Sequence, residues 1–185
     1  MEYGALYFYT STIYQWRPLI REYTFYETIT DSLSFLHKRG VIRVYGFVIM
    51  PNHIHMIWQL IKRNGKESPA ASLMKFTAHR FEQHILQTNP ADLLNYKVDW
   101  RCRKYNFWQP EPDWFLLFKE QTTLQKLNYI HNNPLQKKWR LTDDAIAYKY
   151  SSAKFYETGV NEFDFLYHYF DYDDRPSKTS WDGVL

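Results

Sequence analysis

At 185 residues the chain has the size of one ordinary domain, and its 45% hydrophobic content with 6 Gly and 8 Pro is that of a folded globule able to bury a core without disulfides. No apolar run approaches the ~20 residues that span a bilayer, and one cysteine, Cys102, excludes both an intrachain disulfide and a multi-cysteine zinc cage. The formal charge of +3 is too mild to demand a nucleic-acid partner, while 16 Tyr and 7 Trp suit base stacking and an aromatic core about equally.

The N-terminus lacks a basic stretch followed by an apolar one, so a cytoplasmic location is expected. Tyr7 to Thr12, aromatic and β-branched, reads as a first strand. Glu22 to Lys38 carries Phe25, Ile29, Leu33 and Leu36 at helical spacing and closes at Gly40. Val41 to Met50 and His53 to Leu60 form an antiparallel hairpin across the turn residues Pro51 and Asn52. After a polar loop from Lys62 to Pro69, Ser72 to Leu86 is a helix with Leu73, Phe76, Phe81 and Ile85 on its apolar side. Gln87 to Pro112 has little periodicity and reads as a loop or short strand near a binding surface. Lys119 to Asn132 is helical, ended by Pro134. The elements predict one domain over residues 1–170, an α+β fold whose mainly antiparallel sheet is covered by helices, followed by an acidic, loosely held tail at 171–185 that includes Asp171, Asp173 and Asp174.

Two segments carry chemistry. In the strand from His53 to Leu60, alternation turns Ile54, Met56, Trp58 and Leu60 to one face and His53 and His55 to the other, side by side as two metal ligands must be. Two imidazoles suit Mn, Co, Ni or Zn, and Mg when oxygen ligands complete the shell. Alone, the pair is more often a surface histidine beside a satisfied core one. On the last helix, 100° per residue puts Leu124, Leu127 and Ile130 on a buried stripe and Tyr129 on the opposite side with Gln125, Asn132 and Asn133. His131 falls at the apolar edge, a structural position. Tyr129 and Asn133, four apart, are neighbours on one face. A phenol is a weak nucleophile at neutral pH without help, and a metal that polarises a phosphate oxygen gives that help. Among 16 tyrosines, Tyr129 by itself would be an ordinary surface residue.

Taken together, Tyr45-Gly46-Phe47-Val48-Ile49-Met50-Pro51-Asn52-His53-Ile54-His55 and Leu127-Asn128-Tyr129-Ile130-His131-Asn132-Asn133-Pro134 resemble the single-tyrosine transposases of the HUH class, and within it the branch associated with repetitive extragenic palindromes. Further similarity lies in Leu73 to His79, Phe107-Trp108-Gln109 and Tyr150-Ser151-Ser152-Ala153-Lys154, and the resemblance spans roughly residues 5 to 170. It implies a ferredoxin-like sheet with the histidine strand central. It implies Mg or Mn bound by His53 and His55, with Asn133 as third ligand, and Tyr129 as nucleophile. Relatives cut single-stranded DNA near imperfect hairpins, forming a 5′-phosphotyrosine and a 3′-hydroxyl; some are homodimers with shared sites and others act as monomers. This chain departs from the pattern at Leu135-Gln136-Lys137-Lys138-Trp139 and at Pro110-Glu111-Pro112, where DNA would be touched.

Basic residues around these segments are the expected DNA contacts: Lys75 and Arg80 on the second helix, Arg101, Arg103 and Lys104 in the middle stretch, and Lys137 and Lys138 after the last helix, with Trp108 among the aromatics placed to stack bases. Two other functions stand beside the transferase: a domesticated hairpin-DNA binder that does not cleave, and a metal-dependent phosphohydrolase using water.

Overall fold

The computed structural model describes residues 2–100 and 103–172 of the chain. Six strands form, β1 (Leu6–Thr12), β2 (Ile42–Met50), β3 (His53–Leu60), β4 (Lys97–Trp100), β5 (Arg103–Tyr105) and β6 (Asp113–Leu116), with helices α1 (Tyr23–Lys38), α2 (Pro69–Thr88), α3 (Glu120–Asn132) and α4 (Ala153–Thr158). The main sheet is antiparallel in the order β2-β3-β1-β6, and β4 and β5 make a separate hairpin. Strand, helix, two strands, helix and a final strand beside the first is the ferredoxin-like arrangement, as expected from the sequence. β3 lies inside the sheet, so alternation along it has consequences on both faces.

On one face Ile54, Met56, Trp58 and Leu60 pack with Phe25, Ile29, Leu33 and Leu36 of α1 and Leu73, Phe81 and Ile85 of α2. Ser68 caps α2, its Oγ accepting from the Ala71 amide at 3.1 Å, and Pro69 opens the first turn. Phe76 departs from expectation and is 47% exposed. The buried stripe of α2 runs through Leu73, Thr77, Phe81 and Ile85, and Phe76 stands 100° away from Thr77, toward the shallow groove between α1 and α2.

On the other face Leu6, Phe8, Tyr45, Val48, Met50 and Ile57 pack with Leu127 and Ile130 of α3. The contact stripe of α3 is narrow, consisting of Thr123, Leu127 and Ile130, and Leu124, expected to be buried, is 39% exposed because it is rotated off that stripe. Tyr148 and Tyr156 close this side by donating their hydroxyls to the carbonyls of Ile49 (2.8 Å) and Tyr45 (2.6 Å). Tyr172, at the start of the expected tail, packs edge-on against Tyr45 at 5.6 Å between centroids, whereas Asp173 and Asp174 lie outside the described residues.

The described residues of 87–112 hold more regular structure than their pattern suggests. Pro90–Tyr96 forms a 3-10 turn, β4 and β5 follow, and Leu93, Tyr96, Phe107 and Trp108 all enter the core.

At Gly46 the side chains of α3 come close to the backbone of β2. Gly46 lies at a register shift in β2, and a Cβ there would stand 2.6 Å from Leu127 Cδ1. Gly46→Ala is therefore expected to cost about 1–3 kcal/mol by overpacking, measured by urea unfolding. Because the obstruction is one side-chain methyl, Gly46→Ala combined with Leu127→Ala should cost clearly less than the sum of the two single changes.

Candidate active site

The Pro51-Asn52 turn fixes the chemistry of His53. The Asn52 amide donates from Nδ2 to the Trp16 carbonyl at 3.1 Å, which turns Oδ1 toward His53 Nδ1 at 2.6 Å. An amide oxygen only accepts, so Nδ1 carries the proton and Nε2 keeps its lone pair. His55 Nδ1 lies 2.8 Å from Thr10 Oγ1 on the neighbouring strand, where Thr10 and His55 are register partners. Thr10 Oγ1 can accept a proton from Nδ1, and in that tautomer the His55 Nε2 lone pair faces Tyr129 Oη. The two rings lie 4.5 Å apart between centroids. Phe8 stacks on His55 at 5.3 Å and fixes its plane.

Burial holds both rings neutral. It lowers His53 to about 4, against a smaller opposing pull from the Asn133 amide, with the charge of Lys138 adding to the drop. It lowers His55 to about 3, with His53 and Lys126 adding to the effect. Neutral imidazoles are the metal-binding form, so the site needs no proton release from these rings to bind a cation.

α3 brings Tyr129 over this pair. Its ring is 5.2 Å from that of His55, and Oη is 3.4 Å from His55 Nε2. At 42% exposure the phenol faces both the histidine and solvent. Asn133 is expected at a frayed helix end, but it is only 2% exposed: the chain tightens from α3 into a 3-10 turn over Asn133–Leu135, carrying the amide inward. Asn133 Oδ1 is buried without a hydrogen bond of acceptable geometry, beside His53. An orphaned buried carbonyl oxygen beside His53, together with the two neutral imidazoles, is a donor set that could hold a divalent cation. Among the described residues no three His, Cys, Asp or Glu side chains converge, so the protein ligands here would all be neutral.

His131 takes the structural role its position suggested. Its Nε2 lies 2.8 Å from Ser152 Oγ, which also accepts from the Phe47 amide at 3.0 Å, so Ser152 ties α3 to β2 next to Gly46. Burial lowers His131 to about 4.

The expected DNA contacts divide. Lys138 stands close enough to His53 to affect its proton, and Lys137 beside it is exposed. Lys75 and Arg80 lie on α2, over the opposite face of the sheet, where Lys75 is paired to Glu67 at 2.7 Å. Lys104 sits over the Tyr105 ring on the β4–β5 hairpin. Arg101, and the side chain of Arg103, lie outside the described residues. Trp108 is a correction: it is 5% exposed and donates from Nε1 to Thr77 Oγ1 at 2.9 Å, so it is a core residue with no face for a base. Sequence reasoning missed Lys126, whose ammonium sits over Phe8, three residues before Tyr129; that spacing was the available signal.

Comparison with known proteins gives the fold. No protein-family model and no curated relative matches the chain. Among solved structures, that of the REP-associated tyrosine transposase bound to a REP hairpin matches 86% of this chain and 84% of its own, at 17% identity and a TM-score of 0.58. A candidate transposase from Deinococcus radiodurans R1 matches 69% of this chain and 88% of its own, at 15% identity and a TM-score of 0.42. The chain thus shares the α+β fold of the hairpin-bound transposase.

The neutral histidines predict an acid-sensitive fold. Unfolded histidines take up protons near 6.5, whereas these three resist until about 4, 3 and 4. The unfolded state therefore binds more protons in between, and stability falls as pH drops from 6.5 toward 4, by at most about 1.4 kcal/mol per unit for each histidine. Urea midpoints in chelator from pH 7.5 to 4.5 should fall accordingly, and His131→Gln should flatten the decline.

Proposed function

We propose that this chain is a metal-dependent nuclease and strand transferase acting on single-stranded DNA beside imperfect palindromic hairpins, with Tyr129 as the covalent nucleophile. The observation that carries this reading is the placement of Tyr129 Oη 3.4 Å from His55 Nε2, joining two segments 74 residues apart. The fold shared with a hairpin-bound transposase supports the substrate class.

In this reading His53 Nε2, His55 Nε2 and Asn133 Oδ1 hold Mg or Mn, which when bound supplies Lewis acidity to a non-bridging phosphate oxygen. Asn52 and Thr10 hold the imidazoles in the ligating tautomer. Tyr129, which is solvent-exposed, gives its phenolic proton to water, Oη forms a bond to phosphorus, and the bond from phosphorus to the 3′ oxygen breaks, leaving a 5′-phosphotyrosine and a 3′ oxygen that takes a proton from water to become a 3′-hydroxyl. The phosphoester energy is retained, so attack by a 3′-hydroxyl on the phosphotyrosine reverses the step and joins strands. Phe8, against both His55 and Tyr129, limits the directions from which the phenol can approach. All four site residues come from one chain, so a second copy is not needed to assemble the site. Lys137 and Lys138 are assigned to the DNA backbone near the site, and Lys75, Arg80 and Lys104 to more distant parts of it.

Purified protein incubated with Mn and labelled single-stranded DNA containing hairpins from its own genomic neighbourhood should give an adduct on a denaturing gel, absent in Tyr129→Phe. His55→Ala should abolish the adduct and the calorimetric signal of Mn binding together. Hairpin binding with no adduct would favour the non-cleaving binder, and phosphodiester turnover persisting in Tyr129→Phe would favour the hydrolase.

A further inference from the structure

Lys126 stands almost one turn before Tyr129, on the same side of α3. Its ammonium lies 4.5 Å from the Phe8 centroid, 5.7 Å from that of Phe115 and 5.8 Å from that of Tyr129. The residue is half-buried, and none of the ion pairs among the described residues includes it. By contrast Lys38, Lys75, Lys149 and Lys154 each lie against a carboxylate. Ring faces attract an ammonium but accept no conventional hydrogen bond from it, so three aromatic neighbours hold Lys126 in place while leaving N–H groups to be satisfied from outside the protein.

The surroundings say what would satisfy them. Nearby ligating groups are two neutral imidazoles and an amide, and the charges acting on the imidazoles include the ammonium groups of Lys126 and Lys138, with no carboxylate contributing. By strand register the carboxylate facing this corner is Asp113, opposite Thr10, which is exposed and ion-paired to neither lysine. A divalent cation would raise the positive charge further. The protein supplies little counter-charge here, so an anionic ligand is the natural source of it.

We propose that Lys126 binds a phosphate of the substrate strand next to Tyr129, donating from Nζ to a non-bridging oxygen. This rests on the reading of the chain as a nuclease of single-stranded DNA. The contact lies on the Tyr129 side of the histidine pair, away from Lys138 beside His53. Lys126 would thus stabilise charge on the phosphoryl group during attack as well as fix the strand.

Two assays test it. In covalent capture with Mn, Lys126→Gln should lower the rate of adduct formation roughly 10- to 100-fold, and Lys126→Arg should restore most of it. In a Tyr129→Phe background, where no cleavage occurs, Lys126→Gln should reduce the slope of log affinity against log salt by about 0.7, the loss of one single-strand phosphate contact. Lys38→Gln, on α1 and paired to Asp164, should change neither. Urea midpoints confirm folding, and Lys126→Met, which keeps the stem over Phe8, replaces the glutamine variant if that one does not fold. A wild-type adduct rate together with an unchanged salt slope in Lys126→Gln overturns the proposal. If the unmodified protein forms no adduct, the nuclease reading fails, and the salt slope alone then decides whether Lys126 contacts phosphate.

Discussion

The approach of a helix to a sheet is limited by the atoms between them, and at Gly46 the missing Cβ leaves room for Leu127. A side chain there would meet Leu127 Cδ1 at 2.6 Å. Tyr129 follows Leu127 by two residues on the same helix, and its Oη stands 3.4 Å from His55 Nε2. Ser152 secures the same joint by bonding both the Phe47 amide on β2 and His131 on α3. Glycine and serine, far apart in sequence, thus meet at the same joint between α3 and β2.

The second constraint is electrical. Burial keeps His53 and His55 neutral, and their Nδ1 atoms are engaged by Asn52 and Thr10, with His55 Nε2 toward Tyr129 Oη. The buried Asn133 oxygen lies beside His53 and lacks a suitable donor. Polar groups are rarely left this way unless a ligand or water completes them. In the proposed reading, neutral ligands with lysines nearby would favour a cation and an anion arriving together.

The aromatic content serves mainly structure in this chain. Trp58, Tyr9 and Tyr45 are fully buried, and Trp108 spans from the middle segment to Thr77 on α2. Tyr148 and Tyr156 use their hydroxyls to satisfy backbone carbonyls on β2. Their neighbours in sequence look like binding-surface residues because aromatic and basic types alternate there, but burial is a property of what packs above them.

The sequence by itself determined the elements whose signal is local: the hairpin around Pro51-Asn52, the period of α1, and the alternation that puts His53 and His55 on one face. These follow from backbone geometry repeated every two or 3.6 residues, and neighbouring residues suffice to express them. It also singled out Tyr129 as solvent-facing, because Leu127 and Ile130 mark the buried side of its helix. Only the tertiary structure decided the rest. The inward turn of Asn133, the exposure of Leu124 and Phe76, the burial of Trp108 and the stacking of Lys126 on Phe8 each depend on an element distant in sequence. A helical pattern gives the direction of a side chain around its axis, but not the depth of the contact or the partner that fills it; those are set by packing between segments that meet only in the folded chain.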